Sequence, residues 1–456
     1  MHGTNGPAQP AAAPPGLDRL RARIAGLEPV RRFGRIEELA AGVLRVTGLT
    51  GAVSLGDRIE VRGAGGQRIG GEVLRLAKDG VTVLPDQPPE GLAIGDAVAH
   101  LGPAGIAPDD SWIGRIVDPF GRPLDGRALY PGDSPRPLRA PAPPAAARHR
   151  MAGRLETGVA VFNTLLPLVR GQRIGLFAGS GVGKSTLLAK FARGIAADVV
   201  VIALIGERGR ELREFVEEVL GMAGMARSVV VAATSDLSPL IRRRCAWAAM
   251  AVAEHFRDKG MHVLLLADSV TRFAEAHREV AVAGGEGAGL RGYPPSTQHM
   301  IMSLAERAGP GVGDAGDITA VFSVLVAGSD MDEPVADILR GVLDGHVVMD
   351  RKIAERGRFP AIDLLRSVSR ALPDAANAEE NRLIGEARAL LGAYDRAEMM
   401  IQAGLYSAGS DPMVDAALKV WPGLDGFLAE DEPGDSAASF ARLAACLAPA
   451  RGRPGR

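Results

Sequence analysis

The stretch "FAGSGVGKST", Phe177–Thr186, decides how this chain is read. It follows "GQRIGLF", an apolar run of β character, and precedes "LLAKFARGIA", a helical pattern. Ala178, four residues and then Gly183, Lys184 and Ser185 fit the phosphate-binding loop, with Ala178 in place of the usual first glycine. Gly179, Gly181 and Gly183, with Ser180 and Val182 between them, let backbone N–H groups turn inward around phosphate oxygens without Cβ clashes. The N-terminus of the following helix adds positive potential. Lys184 is expected to reach the β- and γ-phosphates, and Ser185 to ligate Mg²⁺. Thr186, in the same helical turn, can add a phosphate contact. ATP and Mg²⁺ are therefore the expected ligands.

The rest of the composition sets bounds. The chain has 456 residues, enough for two or three domains. Lys and Arg total 53 against 54 for Asp and Glu, so no overall basic bias points to nucleic acid. The two cysteines, Cys245 and Cys446, make no metal-ligand cluster and suit a reducing cytosol better than a disulfide scaffold. No charged start followed by an apolar core marks a signal peptide. No apolar run reaches about 18 residues, so any membrane role is expected to be peripheral.

Composition shifts divide the chain into four parts. Residues 1–34 hold a Pro/Ala/Gly-rich tail and a short helical pattern with Leu17, Leu20, Ile24 and Leu27 on one face. That helix either caps the next domain or docks on a partner protein or an acidic membrane surface. Residues 35–102 alternate short β-type runs with glycine-containing turns, the spacing of a small antiparallel barrel. Residues 103–375 contain a Pro/Ala connector and then alternating strands and helices. "RIGLFA", "VVVIALIG", "SVVVAAT", "HVLLLAD" and "ITAVFSVLV" are continuous apolar runs, as a parallel sheet covered on both faces requires. Residues 376–456 are rich in Ala, Glu, Arg and Leu and read as a helical domain. The fold class is thus α/β, with a β-barrel before the sheet domain and helices after it.

Hydrolysis needs more than a phosphate loop: a group to position water, and charge to neutralise the γ-phosphate. Asp268 ends the strand "LLLAD", where its carboxylate can hold the Mg²⁺ shell. The alternative is a simple helix cap, since "SVTRFAEA" follows. Glu207 and Arg208 leave another apolar strand at its carboxyl end, the edge where open α/β sheets bind ligands. A carboxylate there can orient the attacking water or take its proton. The alternative for Glu207 is a solvated loop charge.

"GERGRE", "LLLADSVTRFAEAHREVA", "GYPPS", "MDEPVADILRGVLDGH" and "FPAIDLLRSVSR" occur in an order that resembles the rotary-ATPase superfamily. Within it the chain most resembles the flagellar type III protein-export ATPases, over about residues 20–430. The resemblance implies a RecA-like ATPase core, a β-barrel N-domain and a helical C-domain, assembled as a homohexamer. It places Lys184 and Ser185 on the phosphates and Mg²⁺, Glu207 as the catalytic carboxylate with Arg208 beside it, and Asp268 at the metal. Phe359 matches the aromatic that packs on adenine, and Tyr406 a second aromatic. Arg370 matches the arginine that a neighbouring subunit inserts toward the γ-phosphate, with Arg358 and Arg366 as close competitors.

The same resemblance implies a cytosolic enzyme attached peripherally to the inner-membrane export apparatus. Its expected partners are other copies of itself, stator and stalk proteins, export substrates and chaperones, but not nucleic acid. One segment departs from the family pattern: after "GYPPS" the chain reads "TQHMIMSLAERAG", so Thr297–Met302 is atypical. Rival readings are a virulence-secretion ATPase, the catalytic subunit of an ATP synthase, a non-catalytic ring subunit and a ring RNA translocase. A non-catalytic subunit would be expected to lack a carboxylate at 207. A translocase would be expected to show a basic or aromatic N-domain face.

Overall fold

A computed structural model describes residues 32–326, 331–432 and 434–451, with Ile24 alone before them. Apart from Ile24, the helical pattern expected around residues 17–27 lies outside the described residues. The first unit is a closed barrel of β1 (Phe33–Ala40), β2 (Val43–Thr47), β3 (Arg58–Arg62), β4 (Arg68–Ala77), β5 (Gly80–Pro85) and β6 (Ala97–Gly102). The strands run in the order β1-β2-β5-β4-β3-β6. Strict alternation explains it: in "RIEVR" Ile59 and Val61 point inward while the charged residues face out. Ile36, Leu44, Val46, Val73, Val83 and Val98 are among the residues that pack with them in the barrel core.

The central sheet has eight strands. In chain order they are β7 (Arg115–Val117), β8 (Arg173–Ala178), β9 (Val199–Glu207), β10 (Ser228–Thr234), β11 (Val263–Asp268), β12 (Ile318–Leu325), β13 (Gly345–Met349) and β14 (Ile362–Ser369). Their spatial order is β14-β13-β8-β12-β11-β9-β10-β7. Val199–Ile205 is buried throughout, as a strand covered on both faces must be.

Two features differ from the expected all-parallel sheet. The "GRIV" segment contributes β7, an edge strand parallel to β10, with Val229 opposite Arg115. It is too short to show a period. At the other edge β14 runs antiparallel to β13. Its Leu365, Arg366 and Val368 are exposed, so the apolar run that marks a buried strand is broken.

The helices that matter for the site are α1 (Lys184–Gly194), α2 (Gly209–Glu214), α3 (Pro239–Arg257), α4 (Val270–Ala283), α5 (Ser296–Glu306) and α6 (Pro334–Val342). The helical C-terminal unit consists of α7 (Ala378–Gln402), α8 (Pro412–Phe427) and α9 (Ser436–Leu447). Asn377 and Glu380 form a reciprocal capping box that starts α7. An ionic seam ties the barrel to the sheet domain: buried Glu72 accepts from Arg243 at 2.8 Å and Arg139 at 3.0 Å.

Candidate active site

The neighbouring strands β8, β12, β11 and β9 are all parallel, so their carboxyl ends meet at one edge. Ala178 lies opposite Leu325, Ala267 opposite Phe322 and Leu204 opposite Asp268. This edge brings together the loop after β8, the end of β11 and the end of β9. Those are the three places where Lys184, Asp268 and Glu207 were expected.

The phosphate loop turns on two glycines. Gly181 has φ 77° and Gly183 φ 87°, a region that L side chains rarely adopt. Gly179 is not in that region, so its expected role in the turn is not met. An added Cβ there would lie 3.6 Å from the Val326 carbonyl oxygen, which is ordinary contact. Gly183 caps α1, and Lys184 begins it. Ser180, Ser185 and Thr186 are exposed, while Val182 is buried beneath the loop.

Asp268 is buried at the end of β11. Its Oδ1 pairs with the Lys184 ammonium and accepts from Ser323 Oγ at 2.5 Å. The helix-cap alternative fails because the next residue does that work: Ser269 Oγ accepts from the Arg272 N–H at 3.3 Å. Both Asp268 contacts fall on Oδ1, which leaves Oδ2 available. One carboxylate and the exposed Ser185 hydroxyl suit Mg²⁺, which takes few protein oxygens and completes its shell with water and phosphate. Among the described residues no group of three or more His, Cys, Asp or Glu forms a ready-made metal cage.

Glu207 is aimed by a bulge. The β9–β10 register shifts between Ile205 and Glu207, and Gly206 between them has φ 69°. A Cβ at Gly206 would meet Arg242 Cδ at 3.4 Å and Arg272 Cβ at 3.5 Å, ordinary contact, so the positive φ is what calls for glycine there. Burial raises the Glu207 carboxyl to about 7, and the Asp268 charge pushes the same way. Lys184 opposes the shift, and a hydrogen-bonded Glu211 carboxyl adds to it. The solvated-charge alternative does not describe this half-buried residue. Arg208, in contrast, leaves 82% of its side chain exposed and lies 3.6 Å from Glu211.

Beside the loop is a cleft of about 280 Å³, lined by Gly181, Gly183, Thr186, Leu187, Lys190, Phe359 and Pro360. Phe359 is 49% exposed, and its Cδ1 lies 3.1 Å from where a Cβ of Gly183 would stand. Tyr406 is not among the lining residues. Its ring packs on the helical-domain core and its hydroxyl donates to Asp415 Oδ1 at 2.9 Å. The expectation that it flanks the base is therefore not met here.

The three arginines separate by environment. Arg358 is tied into its own subunit, donating to the Ile362 carbonyl at 2.7 Å with Nε 3.0 Å from Asp425. Arg366 lies 3.7 Å from Asp350. Arg370 is exposed at the end of β14, beyond one long contact of 3.4 Å to the Arg340 carbonyl.

Three residues at this site escaped sequence reasoning. Ser323 had a signal, being with Thr319 one of two hydroxyl residues within the apolar run "ITAVFSVLV". Glu211 had none, and Lys190 none beyond its helical offset from Thr186.

The ATP synthase alpha/beta family nucleotide-binding domain matches residues 158–369, and the T3SS EscN ATPase C-terminal domain matches residues 376–445. The flagellum-specific ATP synthase of Caulobacter vibrioides is 44% identical over 421 residues, covering 91% of this chain and 95% of that relative. The chain belongs to the flagellar and type 3 secretion ATPase family.

The type 3 secretion system ATPase of Pseudomonas savastanoi pv. phaseolicola is 42% identical over 421 residues, covering 91% of this chain and 93% of that family member. The assembled ATPase EscN of enteropathogenic E. coli superposes with a TM-score of 0.84 at 34% identity, over 91% of this chain and all of that one. EscN in complex with its central stalk EscO gives a TM-score of 0.82 at 35% identity, with coverage of 91% and 100%. Members of this family are ATP hydrolases, and the barrel, α/β core and helical C-terminal unit described above are the architecture they share.

Proposed function

We propose that this chain is a Mg²⁺-dependent ATPase that forms a homohexameric ring and drives or assists type III export of flagellar proteins. The observation that carries the chemistry is the grouping of Lys184, Asp268 and Glu207 at one sheet edge, with the Glu207 carboxyl raised to about 7. Bound Mg²⁺ would supply Lewis-acid neutralisation of phosphate charge, held by Ser185 and Asp268. Lys184 leaves Asp268 for the β- and γ-phosphates. The N–H groups of the Gly179–Gly183 loop cradle the same oxygens. Ser323 keeps the Asp268 carboxylate oriented. Glu207, with a pKa near working pH, orients the attacking water and takes its proton. Arg208 is adjacent and, held only by an exposed pair with Glu211, adds charge. Phe359 lies against the base. Arg370 of one subunit supplies the cation that the γ-phosphoryl oxygens of the next subunit require.

The export assignment rests on the relatives. EscN is an assembled ATPase and has a central stalk partner, which supports a ring and a stalk protein here. Flagellum-specific relatives at 41–45% identity support the flagellar reading, and the virulence-secretion relatives, at 40–42%, give the alternative no better support. The match to an EscN-type C-terminal domain argues against an ATP synthase subunit. Among the described residues no helix is long and apolar enough to cross a membrane. A cytosolic enzyme, attached through partners and an acidic lipid surface, accords with that. Stator proteins, substrates and chaperones complete the proposed partner set.

The test is specific ATPase activity measured against protein concentration, with and without acidic vesicles. Activity per subunit should rise as rings form. A flat dependence across the range where assembly is seen by light scattering would remove the trans arginine, and absence of assembly at any concentration would remove the ring.

A further inference from the structure

The cleft beside the phosphate loop carries a cation of its own, Lys190. Thr186 and Lys190 are four residues apart on α1, so they share a face, and both line the cleft with Phe359 and Pro360. Lys190 stands six residues after Lys184, about 9 Å further along the helix axis. The cleft therefore runs from the phosphate loop along α1, and Lys190 lies at the end away from the phosphates.

Lys190 is held there by a neighbour from the C-terminal unit. Its ammonium pairs with Asp431 Oδ1, and the two side chains are 23% and 63% exposed. The Asp431 backbone is pinned on both sides: the Ala160 N–H donates to the Glu430 carbonyl at 3.0 Å and the Glu432 N–H to the Gly158 carbonyl at 3.0 Å. Arg442 in turn pairs with Glu430 and Glu432. Phe162, just after that junction, packs edge-on against Phe191 of α1 at 4.9 Å. Asp431 thus has a fixed position over α1. An ion pair this exposed contributes little stability, so it leaves the lysine available to a ligand.

We propose that Lys190 is a nucleotide-contact residue that donates to an acceptor on the nucleoside half of bound ATP, and that Asp431 holds it in place when no nucleotide is present. The proposal rests on the reading of the loop and cleft as the ATP site. Base nitrogens and ribose oxygens are acceptors suited to an ammonium. Phe359 provides the apolar wall and Lys190 the polar contact, the usual division of labour in a ligand cleft. The C-terminal unit senses the occupied site through Asp431, because the lysine changes partner on binding.

The experiment compares Lys190→Met, Lys190→Arg and Asp431→Asn with wild type and with Lys184→Ala, using ATP and inorganic tripolyphosphate as probes. Lys190→Met should raise KM for ATP about tenfold with kcat changed less than about twofold, the loss expected for one charge-assisted hydrogen bond. Its affinity for tripolyphosphate should stay within about twofold of wild type. Lys190→Arg, which keeps the charge, should recover most of the ATP affinity. Asp431→Asn should leave KM equal or lower, since it removes the competing partner.

An unchanged KM in a folded Lys190→Met protein overturns the proposal, as does equal loss for ATP and tripolyphosphate. A Lys190→Met protein that does not fold leaves Lys190→Arg and Asp431→Asn to decide. A raised KM in Asp431→Asn then counts against the exchange of partners. If instead Lys184→Ala still binds ATP normally, the underlying site reading fails, and that failure is separate.

Discussion

Lys184 and Asp268, 84 residues apart in the chain, form an ion pair across the carboxyl edge of the sheet. The pair holds the phosphate-binding cation and the metal-side carboxylate together before any nucleotide arrives. Lys184→Ala should therefore do two things. It should reduce hydrolysis by at least about 10³-fold, because the cation facing the β- and γ-phosphates is gone. It should also leave Asp268 buried with only Ser323 as partner, costing roughly 1–3 kcal/mol of stability. Steady-state turnover and denaturant unfolding measure the two effects separately, and normal turnover would remove the phosphate-loop assignment.

Ser323 acts on Asp268 from within β12. Ser323→Ala should keep the fold, since the position is buried among apolar neighbours, and should lower kcat about tenfold. Its Mg²⁺ requirement should rise with it. A Mg²⁺ titration identical to wild type would make Ser323 a packing residue only.

Glu207→Gln should bind ATP and fail to hydrolyse it, because the amide cannot take a proton. Fluorescent-nucleotide binding combined with phosphate release tests this. The raised carboxyl also fixes two pH dependences. The free enzyme's Glu207 titrates at about 7, so wild-type kcat/KM should fall as pH drops through 7. The stability effect has the opposite sense. Between the ordinary value of 4.5 and about 7, the folded state holds a proton that the unfolded chain has released. Stability contributed by this group is present below 4.5 and declines as pH rises across that window. Glu207→Gln lacks the burden, so it should be more stable than wild type at pH 8, by about 1 kcal/mol after solvent screening. At pH 4 the difference should vanish.

Arg370→Ala should impair hydrolysis by about 10³-fold or more without altering the fold, since the side chain is exposed. Mixing it with Glu207→Gln subunits creates interfaces with both groups intact, and partial activity should return. Rings that demonstrably mix yet stay inactive would move the role to Arg366. Arg358 offers a contrast. Its side chain is 8% exposed and anchored to Asp425, so Arg358→Ala should cost about 2 kcal/mol of stability. Its subunits should not complement Glu207→Gln as a trans arginine would.

Phe359→Ala should raise KM for ATP several-fold while kcat is kept, because it removes an exposed ring beside the loop rather than a reacting group. Tyr406→Ala should leave KM for ATP unchanged, its hydroxyl being engaged with Asp411 and Asp415. A shift in KM there would return Tyr406 to the base.

The sequence alone determined whatever depends on local order. The loop Gly179–Ser185 declares itself because its glycines, lysine and hydroxyl are contiguous. The buried strands declare themselves because each is a continuous apolar run, and the barrel because its period is two. Glu207 and Asp268 were legible as carboxylates at strand ends. Tertiary structure decided everything that depends on which strands become neighbours. The order of β8, β12, β11 and β9 puts Ser323 on Asp268, and no local pattern encodes a contact between residues on separate strands. The edge strands β7 and β14 were obscured because an edge lacks the two-sided burial that marks a core strand. Burial beside Asp268, rather than residue type, sets the Glu207 pKa. Lys190 carried no signal in the sequence, and Arg358 stood there as a competitor of Arg370. Only the fold lines a cleft with one and locks the other against Asp425.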